Sequence, residues 1–182
     1  MPTQSHRESR AILIAGFIFV LMLPRSSVKS QTMPVDWRPF RFLLGEWIGE
    51  GSGSPGQGEG GFTFSYDLQN TILVRKNYAN YTATKEHPAF SHNDLMVMYQ
   101  EEGKTRAVYF DNEKHVINYI VSFSADSNSI IFLSDPVPSA PRFRMTYTKS
   151  GTESVKIAFE IAPPGKPESF APYIEAAARR KK

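Results

Sequence analysis

Hydrophobic and polar residues alternate with a period of two along most of this chain. Phe62, Phe64 and Tyr66 alternate with Thr63 and Ser65; Phe143, Met145 and Tyr147 alternate with Arg142, Arg144, Thr146 and Thr148. Val155, Ile157, Phe159 and Ile161 alternate with Lys156, Ala158 and Glu160. Each run predicts a strand with one apolar and one polar face. Thr71 to Tyr81, Asp94 to Gln100, Thr105 to Phe110, Val116 to Phe123 and Ser129 to Leu133 are also rich in strand-forming residues. Short turn signals separate them, among them Glu102-Gly103, Asp126-Ser127-Asn128 and Ser150-Gly151.

No helical stretch long enough for a parallel crossover lies between any two of these runs, so the sheet is expected to be antiparallel and up-and-down. A meander of about nine or ten strands leaves two raw edges unless it closes, and closure is the common solution. The expected fold is therefore all-β, an antiparallel barrel with room for a small ligand. Asp36 to Leu44 predicts a short helical turn before strand one. The end of the chain predicts a helix: Pro167 suits a helix start, and Phe170, Tyr173, Ile174, Ala177 and Ala178 would share one face.

Ahead of this domain, Arg7 and Arg10 precede an apolar run of 13 residues, Ala11 to Leu23, ended by Pro24. That run is too short to span a bilayer, and with Val28-Lys29-Ser30 behind it reads as a secretory signal over residues 1–30. Residues 31–182 would then form one domain, secreted or periplasmic. Removing 1–30 takes four of the 21 basic residues and one of the 18 acidic ones, leaving 17 of each. The apparent basicity thus belongs largely to the leader, and no basic stripe with interleaved aromatics points to nucleic acid. There is no cysteine, which excludes disulfides, thiolate metal sites and thiol catalysis.

Gly51, Gly53 and Gly56 match the G-x-G-x-x-G fingerprint of dinucleotide sites. That fingerprint needs a helix opening directly after it, to set amide dipoles against a pyrophosphate. Here the glycines run into the alternating Phe62 to Tyr66, and Pro55 interrupts the would-be cradle. The stretch reads as a hairpin loop between strands one and two.

Phe42-Leu43-Leu44-Gly45-Glu46-Trp47-Ile48-Gly49-Glu50-Gly51 places a Gly-x-Trp at the opening of the first strand, after a helical turn. This resembles the calycin superfamily of lipocalins, fatty-acid-binding proteins and nitrobindins, and exported bacterial proteins with the same Gly-Glu-Trp opening. The resemblance implies a ligand-binding barrel in which Trp47 closes one end beneath an arginine from a late strand, with Arg142 or Arg144 as partner. Nitrobindins hold haem through a histidine near the C-terminus, and this chain has none after His115. No cofactor is therefore expected, with haem kept as the alternative.

Candidate chemistry is sparse. His115, by alternation, shares a face with Ile117, Tyr119, Val121 and Phe123, which places it at the rim of a cavity with Tyr119 near it. Met96 and Met98 suit an adaptable cavity wall, as does Phe64. Arg75, Lys76 and Arg106 lie inside strands; one pointing inward would anchor a polar ligand group. His87, His92 and Asp94 could hold a metal, but their spacing matches no ligand signature, and a polar loop is the plainer reading. No G-x-S-x-G elbow occurs. The expected function is binding of a small apolar or amphipathic molecule, with two alternatives: a haem or metal protein, or a barrel enzyme using His115 as acid or base.

Overall fold

A computed structural model describes residues 35–50, 58–85 and 87–182. Residues 1–30, read as a leader, and most of the glycine loop lie outside the described residues.

Ten antiparallel strands close into a barrel: β1 Gly45–Glu50, β2 Gly58–Asp67, β3 Ile72–Tyr81, β4 Phe90–Glu101, β5 Lys104–Asp111, β6 Val116–Phe123, β7 Ser129–Ser134, β8 Arg142–Lys149, β9 Ser154–Ala162 and β10 Ala171–Arg180. Every strand pairs with its sequence neighbour, and β10 returns to β1, so no edge is left open. The all-β, up-and-down barrel is what the period-two pattern predicts. The G-x-G-x-x-G stretch joins β1 to β2, which pair as antiparallel neighbours.

The expected C-terminal helix is instead β10. It pairs with β9 from Ala171–Ile161 to Arg179–Ser154 and with β1 from Trp47–Arg180 to Glu50–Ala177. Alanine favours a helix, but intrinsic propensity is small beside tertiary pairing. Without this strand β9 and β1 would both be raw edges, and that term wins. Pro172, which cannot donate to a ladder, sits beside a bulge in the β10–β9 register.

The short helical turn is present as a 3-10 helix, Arg38–Leu43, and it plugs one end of the barrel. Phe40 and Leu43 are fully buried, and the Phe40 ring meets Phe123 and Phe132 edge-on. The Trp37 indole donates to the carbonyl of Asn70 (2.9 Å) and the Trp47 indole to that of Leu43 (2.7 Å). These two bonds tie the plug to the β2–β3 turn and to β1. Each buried aromatic contributes about 1.5–3 kcal/mol by removing its surface from water. Plug and rings together make this end solid.

Candidate functional site

Inward-facing residues divide the interior into two halves. Toward the plug, Phe64, Leu73, Met98, Ile130, Phe132 and Tyr147 are no more than 1% exposed, with rings in edge-to-face contact. Toward the other end, inward Asn77, His92, Tyr109, Ile117, Phe143, Ile157 and Phe159 are only partly buried. Solvent therefore reaches the inner wall of this second half, which forms a cup. Between the halves lie Phe62, Arg75, Asp94, Met96 and Met145, all at most 9% exposed, which form its floor.

The cup is chemically two-sided. On β3, β4 and β5 the inward positions are polar: Arg75 and Asn77, His92 and Asp94, Tyr109 and Asp111. On β8 and β9 they are apolar: Phe143, Ile157 and Phe159, with the Phe143 and Phe159 rings stacked at 5.9 Å. In a ten-strand closed order, β4 stands diametrically opposite β9. One wall thus carries hydrogen-bonding groups and the facing wall carries none, the usual division of a pocket that fixes orientation with a few polar groups.

The polar wall is one connected network running from floor to rim. Arg75 and Asp94 form a buried ion pair, their side chains 7% and 3% exposed. The Asn77 amide donates to the second Asp94 oxygen at 2.8 Å, and His92 Nε2 lies 3.5 Å from that same oxygen. His92 Nε2 is 3.1 Å from Tyr109 Oη, and its Nδ1 is 2.9 Å from Glu113. Tyr109 in turn donates to Asp111 (3.3 Å). At the rim, Asp111 accepts the amides of Glu113 and His115 (2.9 Å each) and the His115 ring Nδ1 (2.8 Å).

Local sequence explains this rim. Asp111 opens the β5–β6 turn, where a short carboxylate reaches the amides two and four residues on. Lys114 takes a left-handed φ of 74° to complete the turn. Asn112 binds back to β4, accepting from the Asn93 amide (3.0 Å) and donating to the Ser91 carbonyl (2.9 Å). The turn is thereby held against β4, with Glu113 beside His92.

The electrostatics follow. Hydrogen bonding to Asp94, opposed by burial and helped by Glu113, raises His92 to about 9, so it is a cation at neutral pH. Burial raises Tyr109 and Tyr119 strongly, and pushes Tyr147 up to about 12. Burial opposes the charge of Asp111, but hydrogen bonds from the His115 amide and ring outweigh it and hold its carboxyl below the usual range. Burial likewise opposes the Arg75 charge, yet the groups around it, Tyr147 and Asp94 foremost, keep it raised.

The expected site residues fall in three places. His115 stands at the rim, its side chain 60% exposed and its ring on Asp111. Tyr119, Met96, Met98 and Phe64 all face inward but are fully buried at the floor and in the solid half. Two expectations are corrected. Arg106 points outward, because its neighbour Ala107 takes the inward position, and it pairs with Glu101 (3.2 Å). Arg144 is not the partner of Trp47: it also points outward, pairs with Glu160 (2.6 Å) and lies over the Phe170 ring. Arg180 takes that place, stacked 4.5 Å from the Trp47 ring. Of the loosely grouped His87, His92 and Asp94, the last two meet on the polar wall, and His87 stays in the exposed β3–β4 loop. Among the described residues, no cluster of three His, Asp or Glu side chains is arranged to hold a metal ion.

Sequence reasoning missed the Arg75–Asp94–Tyr109–Asp111 continuity. The available signal was parity: Asp94 shares a face with Met96 and Met98, and that face is the interior.

No family model matches the chain, and no curated protein matches it significantly. Solved structures do match, among them an S-type phycobiliprotein lyase, CPES, of Guillardia theta. That structure is 8% identical, with a TM-score of 0.46, over 79% of this chain and 90% of the lyase chain. The strand order and register of the barrel itself, closed through β10 and β1, define its architecture.

Proposed function

We propose that the barrel reversibly binds a small amphipathic molecule in the open cup, its apolar body against β8 and β9 and its polar end toward the β3–β5 network. The observation that carries this reading is the facing of an apolar and a polar wall across one solvent-accessible interior. Burial of the apolar body drives association, and the network fixes orientation. With residues 1–30 removed as a leader, this binding would take place outside the cytoplasm.

The test is to purify the full-length chain, record its native mass spectrum and absorption spectrum, and titrate it with the uncharged apolar dye N-phenylnaphthylamine. A co-purified amphiphile, or dye fluorescence that a competing amphiphile abolishes, is the expected result. A chain that takes up no dye and carries no ligand would overturn the reading. A Soret band would instead favour haem.

A second reading rests on the His115–Asp111 contact. The Asp111 side chain is 3% exposed and holds His115 Nδ1, and Nε2 makes no hydrogen bond among the described residues. That is the arrangement of a histidine oriented as a general base. Turnover of a long-chain p-nitrophenyl ester that His115→Gln abolishes, with dye binding unchanged, would favour it.

A further inference from the structure

Where the floor of the cup meets the solid half, two buried polar atoms have no hydrogen-bond partner of ordinary geometry among the described residues: Nε of Arg75 and Oη of Tyr147. They belong to side chains in contact, the Arg75 guanidinium carbon lying 5.9 Å from the Tyr147 ring centroid and 5.8 Å from that of Phe62. Arg75 is 5% exposed and Tyr147 is fully buried. Leaving such groups unpaired in the interior is unfavourable, so the pair marks where a ligand atom is wanted.

The chemistry of the two atoms restricts that ligand atom. Arg75 Nε is only a donor, and the Tyr147 hydroxyl can donate as well. The ligand group must therefore accept hydrogen bonds, which excludes an ammonium. A carboxylate is also disfavoured, because the Arg75 charge is already matched by Asp94 in direct contact. Asp111 and Glu113 stand farther up the same wall, where His115 and His92 are already engaged with them. An anion brought to the floor would face three carboxylates and gain no free positive charge. Resting on the binding reading above, we propose that the floor selects an uncharged oxygen acceptor, a ketone, ester or alcohol, over a carboxylate or an ammonium on the same hydrocarbon chain.

The experiment is competition against N-phenylnaphthylamine on the full-length chain at neutral pH, below micellar concentrations. The competitors are dodecanol, methyl undecyl ketone, dodecanoate and dodecylammonium, with the wild type and Tyr147→Phe compared. Dodecanol and the ketone are expected to bind at least roughly tenfold more tightly than the two ions, about the worth of one well-placed hydrogen bond. Tyr147→Phe, which removes only the unpartnered hydroxyl, is expected to weaken the alcohol and the ketone several-fold. Dodecanoate or dodecylammonium binding as tightly as dodecanol would overturn the head-group inference while leaving the barrel's binding role intact. A preference that Tyr147→Phe leaves unchanged would overturn the floor as its origin. Dye uptake with displacement by none of the four overturns the head-group inference alone, whereas failure of dye uptake itself overturns the underlying reading.

Discussion

The guanidinium carbon of Arg180 lies over Trp47, 4.5 Å from the ring centroid, although the two are 133 positions apart in the chain. One Arg180 nitrogen bonds the Leu44 carbonyl and another the Phe42 carbonyl (3.1 Å). The last residue of β10 therefore grips both the plug and the approach to the first strand, and seals the solid end of the barrel at the point where β1 and β10 meet.

Arg180→Ala removes the stacking together with two charge-assisted hydrogen bonds to carbonyls that then lose their partner. The expected loss is about 2–4 kcal/mol in urea denaturation. Arg180→Lys should restore little of it, since an ammonium cannot stack and fork at once. Arg144→Ala, by contrast, loses a half-exposed pair with Glu160 on the outer surface and should cost less than about 1 kcal/mol. Equal losses for the two arginines would contradict the assignment of the closure to Arg180.

Asp94→Ala leaves Arg75 charged and buried, and an uncompensated interior charge costs about 3–5 kcal/mol. Replacing both members, Arg75→Met with Asp94→Leu, removes the charge and its partner together and should recover most of that loss. Chemical denaturation of Arg75→Met, of Asp94→Leu and of the double variant completes the cycle. If the double variant were as unstable as the sum of the singles, the two side chains would not be energetically coupled.

Gly61 sits on β2 where it crosses β1. A Cβ there would lie 2.5 Å from the Trp47 carbonyl oxygen and 3.1 Å from the Tyr78 hydroxyl. The first contact is to backbone held in the β1–β2 ladder, so it cannot yield without parting the strands. Gly61→Ala should therefore destabilise the barrel by at least about 1–3 kcal/mol, the usual cost of overpacking, read as a lower melting temperature. An unchanged melting temperature would mean that β1 and β2 lie farther apart than the geometry here.

How much of this was legible in the sequence depended on alternation. β2, β8 and β9 announce themselves because apolar residues fill one face and polar residues the other. β3 does not: Leu73, Arg75 and Asn77 point inward while Val74, Lys76 and Tyr78 point outward, so both faces are mixed. A buried ion pair makes an inward face look polar, and that hides its parity. β10 was misread for a related reason. Its run of alanines favours a helix locally, and only the two unpaired neighbours, β9 and β1, make it a strand. Nothing in the sequence marks Arg180, rather than Arg142 or Arg144, as the lid on Trp47. The candidate site suffered most, because it depends on which rows of β3, β4 and β5 meet inside, and register across strands is a tertiary property.

His92 makes the stability of the barrel depend on pH in a defined direction. Its contacts are all acceptors or polar: Asp94 on its own strand, Tyr109 on β5 and Glu113 on the β5–β6 turn, with Arg75 behind Asp94. Hydrogen bonding to Asp94 and Glu113 favours the imidazolium, so the folded state holds the proton to about pH 9, while the unfolded chain releases it near the ordinary value of 6.5. A folded value above the unfolded one means the folded state binds more protons in that interval, and stability falls as pH rises. The contribution is fully present below about pH 6.5, declines across the interval and is gone once the pH passes well above 9. Since the imidazole is 27% exposed, screening reduces its worth to about 1–2 kcal/mol. Urea midpoints measured from pH 6 to pH 10 should therefore fall for the wild type and stay flatter for His92→Gln over the same range. Parallel curves for the two proteins would show that the proton on His92 is not what couples the polar wall to pH.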